Sequence, residues 1–245
     1  HQLESLFRQI GRRAIFYRCA ARLFVAHLFV TLRLHLSLPF SLHCLPEVSG
    51  EMCRNPTPMF DATQPARPGV LHIVATPIGN LRDLSQRALD VLKTADIIAA
   101  EDTRTTQGLL NTQQIQAGKL TPLHDHNEDI AAARLIEALR AGKSVAYVSD
   151  AGTPGISDPG ARLVNAVRAA GFDITPIPGP SAVATAMSVA GIEGAWLFQG
   201  FLPAKPAARR KVLQTLLARP EALVFYEAPH RIEETVADLL TVFGG

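Results

Sequence analysis

The stretch SVAYVSDAGTPGISDPG (144–160) decides the fold. Its first six residues form an apolar run with little polar alternation, the pattern of a strand covered on both faces and hence of a parallel sheet between helices. The run opens into a loop of Asp, Gly, Thr, Pro and Ser, after which the spacing predicts a helix over 158–171. Asp158 is placed to cap the free amides, Pro159 suits the first helical position, and Gly171 suits a left-handed stop. In an open parallel sheet, ligands bind beyond the carboxyl ends of the strands, which is where this loop sits. Gly152 and Gly155 let the backbone approach a ligand closely, and Asp150 can accept from an amine or a ribose hydroxyl.

Outward from this stretch, LHIVA (71–75), DIIAA (96–100), LTPLH (120–124) and DITPI (173–177) read as further strands. Helical spacing of apolar residues over 85–95, 103–113 and 128–142 separates them, so 70–177 is expected to be a five-stranded N-terminal α/β domain. A helix of small residues follows in PGPSAVATAMSVAG (178–191). Strands AWLFQGF (195–201) and ALVFYEA (222–228) then alternate with helices from about 206 to 218 and over 230–244, opening a second α/β domain at 178–245. Two strands are too few to bury both faces of a sheet, so that domain is expected to be incomplete, truncated at its C-terminus.

With 245 residues, 47% hydrophobic and 19% charged, the chain can bury a core, which excludes disordered, collagen-like and disulfide-stapled classes. The net charge of +2 hides an asymmetry: residues 1–69 hold 8 Arg, no Lys and 4 acids, leaving 16 cationic and 18 acidic residues for 70–245. Nothing in that balance points to indiscriminate nucleic-acid binding, so any RNA contact must come from a local patch. Cys19, Cys44 and Cys53 all lie in the first part; the rest has no thiol for a disulfide, a thiolate–metal site or a nucleophile, which fits a reducing cytoplasm. Beyond the first part there is no 18-residue apolar run, and no membrane span is expected.

Residues 1–69 are expected to be an N-terminal extension, disordered or not native. The Leu- and Phe-rich stretch 22–46 is a poor secretory signal, because His27, Arg33, His35 and His43 interrupt it and no small-x-small cleavage pattern follows. Composition breaks at MFDATQPARPG (59–69), after which α/β patterning begins at once; translation from upstream of a true start at Met59 would produce this break. A genuine disordered extension is the alternative.

Several chemical motifs are excluded. AGKS (141–144) lacks the leading Gly of a P-loop, Glu137 standing in its place, and runs from helix to strand. There is no G-x-G-x-x-G, and GPSAV (179–183) lacks the last glycine of a nucleophile elbow. His124 and His126 have no third ligand at metal spacing, which favours packing or a polar cleft wall over ligation. Glu101-Asp102, followed by Arg104, admits two readings: Asp102 as a helix cap with Glu101 offsetting Arg104, or a charged wall of an active site. Lys205, Arg209, Arg210 and Lys211 crowd a helix start, where positive charge is unfavourable by about 0.3–1 kcal/mol per residue; a phosphate backbone would offset this, and no acid in the first turn does. TPIGN (76–80) and PGPS (178–181) follow the first and fifth strands, so that with the 150–160 loop three loops are expected to converge on one cleft.

Taken together, TPIGNLRDLSQRAL (76–89), AAEDTR (99–104), LHDHNE (123–128), SDAGTPGISDPG (149–160), PGPSAVATAMSVAG (178–191), QGFLPAK (199–205) and FYEAPHR (225–231) resemble the tetrapyrrole methylase, or class III, methyltransferases over 70–245. Within that family the likeness is to members acting on ribosomal RNA. The resemblance implies a tetrapyrrole methylase-like pair of α/β domains, a cytoplasmic homodimer, with S-adenosylmethionine in the cleft between domains. It implies methylation of the ribose 2′-hydroxyl of a cytidine in the decoding centre of 16S rRNA, the partner being the small ribosomal subunit. A tetrapyrrole or corrinoid ring methylase and a non-catalytic RNA-binding module are the alternatives. The resemblance assigns Asp150, Ala151, Gly152, Thr153 and Pro154, with Pro178, Gly179, Pro180 and Ser181, to the cofactor, and places Pro77, Gly79 and Asn80 in the loop that replaces the ring methylases' glycine-rich one. Glu101, Asp102, Arg104 and Glu227 are expected around the reacting ribose. Arg104, Lys205, Arg209, Arg210, Lys211, His230 and Arg231 are expected to hold RNA. No catalytic metal is expected.

Overall fold

The computed structural model describes residues 14–18, 28–32, 65–116 and 118–244. Met59 and the three cysteines of the expected extension lie outside them. The first sheet comprises β3 (Val70–Val74), β4 (Ile97–Ala100), β5 (Lys119–Pro122), β6 (Val145–Val148) and β7 (Asp173–Ile177), all parallel in the order β5-β4-β6-β3-β7. The helices between them are α1 (Gln86–Thr94), α2 (Thr103–Thr112), α3 (Glu128–Arg140) and α4 (Ala161–Ala169).

Burial explains the apolar runs. Strands β4 and β6 are buried at every position, and their side chains alternate between two cores. Ile98, Ala100, Ala146 and Val148 pack with Val91 and Leu92 of α1 and Leu110 of α2. Ala99, Val145 and Tyr147 pack on the other face with Leu135 and Leu139 of α3 and Leu163 and Val167 of α4. Each large apolar side chain so buried contributes about 1.5–3 kcal/mol, which is what holds helices on both faces. Edge strands β5 and β7 are only partly covered, as their mixed sequences require.

At the opposite end from the strands' carboxyl ends, Ser144 clamps the sheet. Its N–H and Oγ both donate to Asp96 Oδ2 at 2.7 Å, and Asp96 N–H donates to Ser144 Oγ at 3.0 Å. The AGKS segment is thus a helix stop, with Gly142 at φ +75°, followed by a strand clamp.

The second sheet is ordered β1-β2-β9-β8, with β1 (Ala14–Arg18), β2 (Leu28–Leu32), β8 (Trp196–Phe201) and β9 (Ala222–Glu227). Strands β8 and β9 are parallel; β2 pairs antiparallel with the other edge of β9, so two short segments of the extension add strands that its composition does not announce. Helices α6 (Pro206–Thr215) and α7 (Ile232–Phe243) cover Leu223 and Phe225 of β9, while α5 (Ala182–Ala190) covers Val224 and Tyr226 on the other face. Helix α5 therefore carries the chain from the first sheet's last loop to the second sheet.

One expected helix start is corrected. Helix α4 begins at Ala161 after Gly160 at φ +127°, and Asp158 does not cap it. The buried Glu128 of α3 does so from across the fold, accepting from Gly160 N at 3.0 Å and Leu163 N at 2.9 Å while pairing with Arg162 Nε at 3.1 Å. Gly160 is required there: a Cβ would stand 2.6 Å from the Tyr147 ring. Tyr147 itself donates its hydroxyl to Pro159 O at 2.8 Å, pinning the loop to the strand.

Candidate functional site

Sheet order splits the crest over the strands' carboxyl ends into two halves. Loops 76–80, 149–160 and 178–181 leave the neighbouring strands β3, β6 and β7, and the structure brings them together. Thr76 and Gly152 exchange backbone hydrogen bonds at 2.9 and 3.0 Å, Thr76 Oγ1 donates to Ser149 O at 3.1 Å, and Thr153 Oγ1 donates to Pro180 O at 2.9 Å. Gly152 sits at φ +86°, a conformation side chains disfavour, and a Cβ on Gly179 would come 2.9 Å from the Ala75 side chain, so the first glycine is set by its backbone angle and the second by close packing. Ile78, Ala151, Gly152, Thr153, Asp158, Ser181, Ala182 and Tyr226 line the cleft that results. Pro77, Pro154 and Pro178 stand in the same loops, while Asn80 is exposed and accepts from Arg82 N at 3.1 Å, capping a short 3-10 turn.

The other half, after β4 and β5, is acidic. The two readings of Glu101-Asp102 divide between the two residues. Asp102 caps α2, accepting from Arg104 N at 2.8 Å, and pairs with the Arg104 guanidinium at 2.9 Å; these bonds lower its pKa. Asp102, not Glu101, offsets Arg104, whose side chain projects into solvent. Glu101 turns instead toward β6, where Oε2 accepts from Asp150 N at 3.2 Å, while Asp150 Oδ1 accepts from Asp102 N at 3.1 Å. Burial pushes Glu101 up to about 7, and the negative charges of Asp158, Asp150 and Asp125 add to the rise. Burial likewise pushes Asp158 up to about 6 against a hydrogen bond from Ser149, and raises Asp150. Four carboxylates thus face one another around the seam between β4, β5 and β6.

His124 and His126 lie at the end of this half with rings edge to face at 6.1 Å. Among the described residues there is no group of three or more His, Cys, Asp or Glu that could hold a metal ion.

Three expected site residues are placed elsewhere. Glu227 is fully buried, accepting from Ala228 N at 2.8 Å and Thr235 Oγ1 at 2.6 Å, with Arg231 at 3.4 Å; it anchors α7 to β9 and cannot reach a ribose. Arg231, which also donates to Leu202 O at 2.9 Å, belongs to that network. Arg209 is 1% exposed and held by Asp238 at 2.6 Å and Glu234 at 3.6 Å, so it is unavailable to a phosphate. The acids that balance the basic helix start come from α7, not from the helix's own first turn, which is why sequence spacing within α6 missed them. Arg210 also pairs with Asp238, at 2.9 Å, but keeps an exposed flank; Lys205, Lys211 and His230 are exposed.

Tyr226 is a cleft residue that the sequence reading did not single out. Its hydroxyl accepts from Val183 N at 3.1 Å at the start of α5, and its ring meets Phe198 edge to face at 4.6 Å. The period-2 pattern of ALVFYE was the available signal, since it puts Tyr226 on the face opposite Leu223 and Phe225.

Residues 70–245 match the family model for tetrapyrrole (corrin/porphyrin) methylases. Three curated relatives carry the name ribosomal RNA small subunit methyltransferase I. The chain is 57% identical to the Xylella fastidiosa (strain Temecula1) protein over 178 residues, covering 72% of this chain and 65% of the relative. Identity to the Escherichia coli O157:H7 protein is 50% over 177 residues (72% and 62%), and to the Vibrio cholerae serotype O1 protein 50% over 184 residues (75% and 64%). The chain therefore spans less than two thirds of the length of these relatives. A solved uroporphyrin-III-C-methyltransferase from Thermus thermophilus overlaps 55% of this chain and 64% of its own at 24% identity and TM-score 0.43, too loosely to argue from.

Proposed function

Because the chain belongs to the tetrapyrrole (corrin/porphyrin) methylase family, we propose that it serves S-adenosylmethionine-dependent methylation of small-subunit ribosomal RNA, at the ribose 2′-hydroxyl of a cytidine in the decoding centre of 16S rRNA. The observation that carries this reading is the Thr76–Gly152 bridge with the Thr153–Pro180 bond, which gathers three loops into one cleft beside a carboxylate, Glu101, that no cation among the described residues pairs with. The relatives' names supply the RNA.

The cleft fits the cofactor. Glycine at 152 keeps side-chain bulk out of the loop junction, and Asp158 in the lining, with no cationic partner among the described residues, suits a ligand that carries positive charge. Residues 76–80, 150–154 and 178–181 hold it. When bound, S-adenosylmethionine supplies an electrophilic methyl group on a positively charged sulfur.

Glu101 takes the proton of the ribose hydroxyl. One of its oxygens is fixed by Asp150 N–H, and a value of about 7 keeps it poised between base and acid near neutral pH. Asp102 holds Arg104 at the rim, where the guanidinium meets a phosphate of the substrate. Lys205, Lys211 and the exposed flank of Arg210 hold flanking phosphates, with His230 nearby on the same rim of the second sheet. The reading takes the working form to be a cytoplasmic homodimer acting on the small ribosomal subunit; among the described residues no helix is long and apolar enough to cross a membrane.

The test is transfer of tritiated methyl from S-adenosylmethionine to small ribosomal subunits by this protein. The expected result is label in 16S rRNA that protects one linkage from alkali, since the 2′-hydroxyl is the nucleophile of alkaline cleavage. Cofactor binding without labelled RNA overturns the RNA reading, and label in a precorrin-like ring replaces it with ring methylation. RNA binding without cofactor binding leaves a non-catalytic module.

A further inference from the structure

Asp158 is left without the task its sequence position suggests. It stands just before α4, yet the free amides there are taken by Glu128, which accepts from Gly160 N and Leu163 N. Its carboxylate lines the cleft with Ala151, Gly152, Thr153, Ala182 and Tyr226, and among the described residues no Lys, Arg or His pairs with it. Its neighbours make the absence sharper. Glu101 at the end of β4, Asp125 after β5 and Asp150 after β6 are acidic, while Tyr147 of β6 and Tyr226 of β9 feel its negative charge. A hydrogen bond from Ser149 is the protein's compensation.

A partly desolvated carboxylate among like charges is unfavourable unless a cation arrives. Among the described residues none brings one, and Asp158 lines the cleft. We propose that Asp158 is the charge-reading residue of the cofactor cleft: it favours the sulfonium form of the methyl donor over the neutral thioether left after transfer. This rests on the methyltransferase reading above. S-adenosylmethionine carries one more positive charge than S-adenosylhomocysteine, and the two otherwise present the same adenosine, amine and carboxylate. Breaking the sulfur–methyl bond leaves its electron pair on sulfur and removes that charge. The attraction to Asp158 goes with it, which turns the same carboxylate into an aid to product release.

The experiment is calorimetric titration of both compounds into the wild-type protein and into Asp158→Asn at pH 8. Asn keeps the size and the hydrogen-bonding capacity of the side chain while removing its charge. The expected result is a wild-type preference for S-adenosylmethionine of about tenfold or more that collapses toward equality in Asp158→Asn, with S-adenosylhomocysteine affinity little changed. In the wild type the preference also declines as pH falls through about 6, where the carboxylate gains its proton, a measurement that needs no variant. Equal loss of both ligands in Asp158→Asn overturns the proposal, showing contact to the shared amine or a structural role. An unchanged ratio overturns it too. If the wild-type protein binds neither compound, the methyltransferase reading itself falls, and a folded wild type that binds both equally at pH 8 sinks the charge-reading role alone.

Discussion

The acidic crest over the first sheet and the basic start of α6 present the same kind of signal, a crowd of like charges at the end of an element, and fold to opposite solutions. In the crest, Glu101, Asp150 and Asp158 face one another, and the bonds that hold them come from backbone N–H groups and one serine, not from cations. At α6, the guanidinium of Arg209 is buried against Asp238 and Glu234, and Arg210 shares Asp238. Charge compensated internally builds the scaffold; charge that the described residues leave uncompensated is what the proposed cofactor would meet. Sequence density of charge does not separate the two. The packing of the next element does, since α7 brings acids to α6, whereas Arg104 beside the crest pairs with Asp102 and, among the described residues, no cation pairs with Glu101 or Asp158.

The largest expected effect tests the uncompensated side. Glu101→Gln should lower methyl transfer to small-subunit RNA by about 10²–10⁴-fold, the usual worth of a positioned base, with S-adenosylmethionine affinity retained in a parallel titration. The wild-type kcat/KM should rise with pH through about 7 as the carboxylate ionises, and that rise should vanish in the variant. Stability moves the other way. The folded-state value is raised above the ordinary 4.5, so the fold holds a proton that the unfolded chain has released, and folding is penalised as pH climbs from about 4.5 to 7. Glu101→Gln should therefore be more stable than wild type at pH 8, by about 1 kcal/mol once solvent screening of this partly exposed group is allowed for, and equal to it below pH 4.5. Denaturant melts at the two pH values check this; a variant less stable at both would make Glu101 a scaffold residue like Arg209.

Next in size is the compensated side. Arg209→Ala leaves Asp238 buried with Arg210 as its remaining partner, and should cost about 3 kcal/mol of stability, read from the urea midpoint. RNA affinity, measured on the folded fraction, should stay within about twofold. A large loss of RNA affinity with full stability would reverse the assignment and return Arg209 to the substrate.

How much was legible follows from the same contrast. The five parallel strands and their helices were readable because burial on both faces leaves an apolar run, as in IIAA and VAYV. The convergence of three loops was readable from their Gly and Pro content and the strand ends they follow. Asp158 was misread because N-capping is a local inference, while its amides are met by Glu128, 32 residues earlier than Gly160. Glu227 was expected beside the ribose from the family resemblance, which says nothing of its packing; Ala228 N–H and the Thr235 hydroxyl from α7 take up its two oxygens in the folded chain. Long-range polar partners leave no periodic trace, so they were invisible in the sequence.

A smaller effect probes a buried histidine in the first sheet. His72 of β3 is buried, its Nε2 accepting from Arg67 N at 3.0 Å, and burial lowers its pKa below the ordinary 6.5 with help from the Arg67 charge. The fold thus keeps it neutral while the unfolded chain protonates, so its contribution is complete above pH 6.5 and is lost as pH falls below it. His72→Gln should flatten the fall in stability between pH 7 and 5, opposite in sense to the Glu101 variant; an unchanged slope would mean that the histidine titrates freely.

The smallest expected effect tells whether exposed cations on α6 differ from the buried one beside them. Lys211→Ala removes a charge that nothing in the described fold pairs, so stability should stay within about 0.5 kcal/mol of wild type. If Lys211 neutralises one phosphate, the slope of log affinity for small-subunit RNA against log salt should fall by about 1, and affinity should drop roughly evenly across RNA sequences. Arg209→Ala should leave that slope unchanged. An unchanged slope in Lys211→Ala would put both residues on the scaffold side and move the RNA contact to Arg104 and the rim of the first sheet.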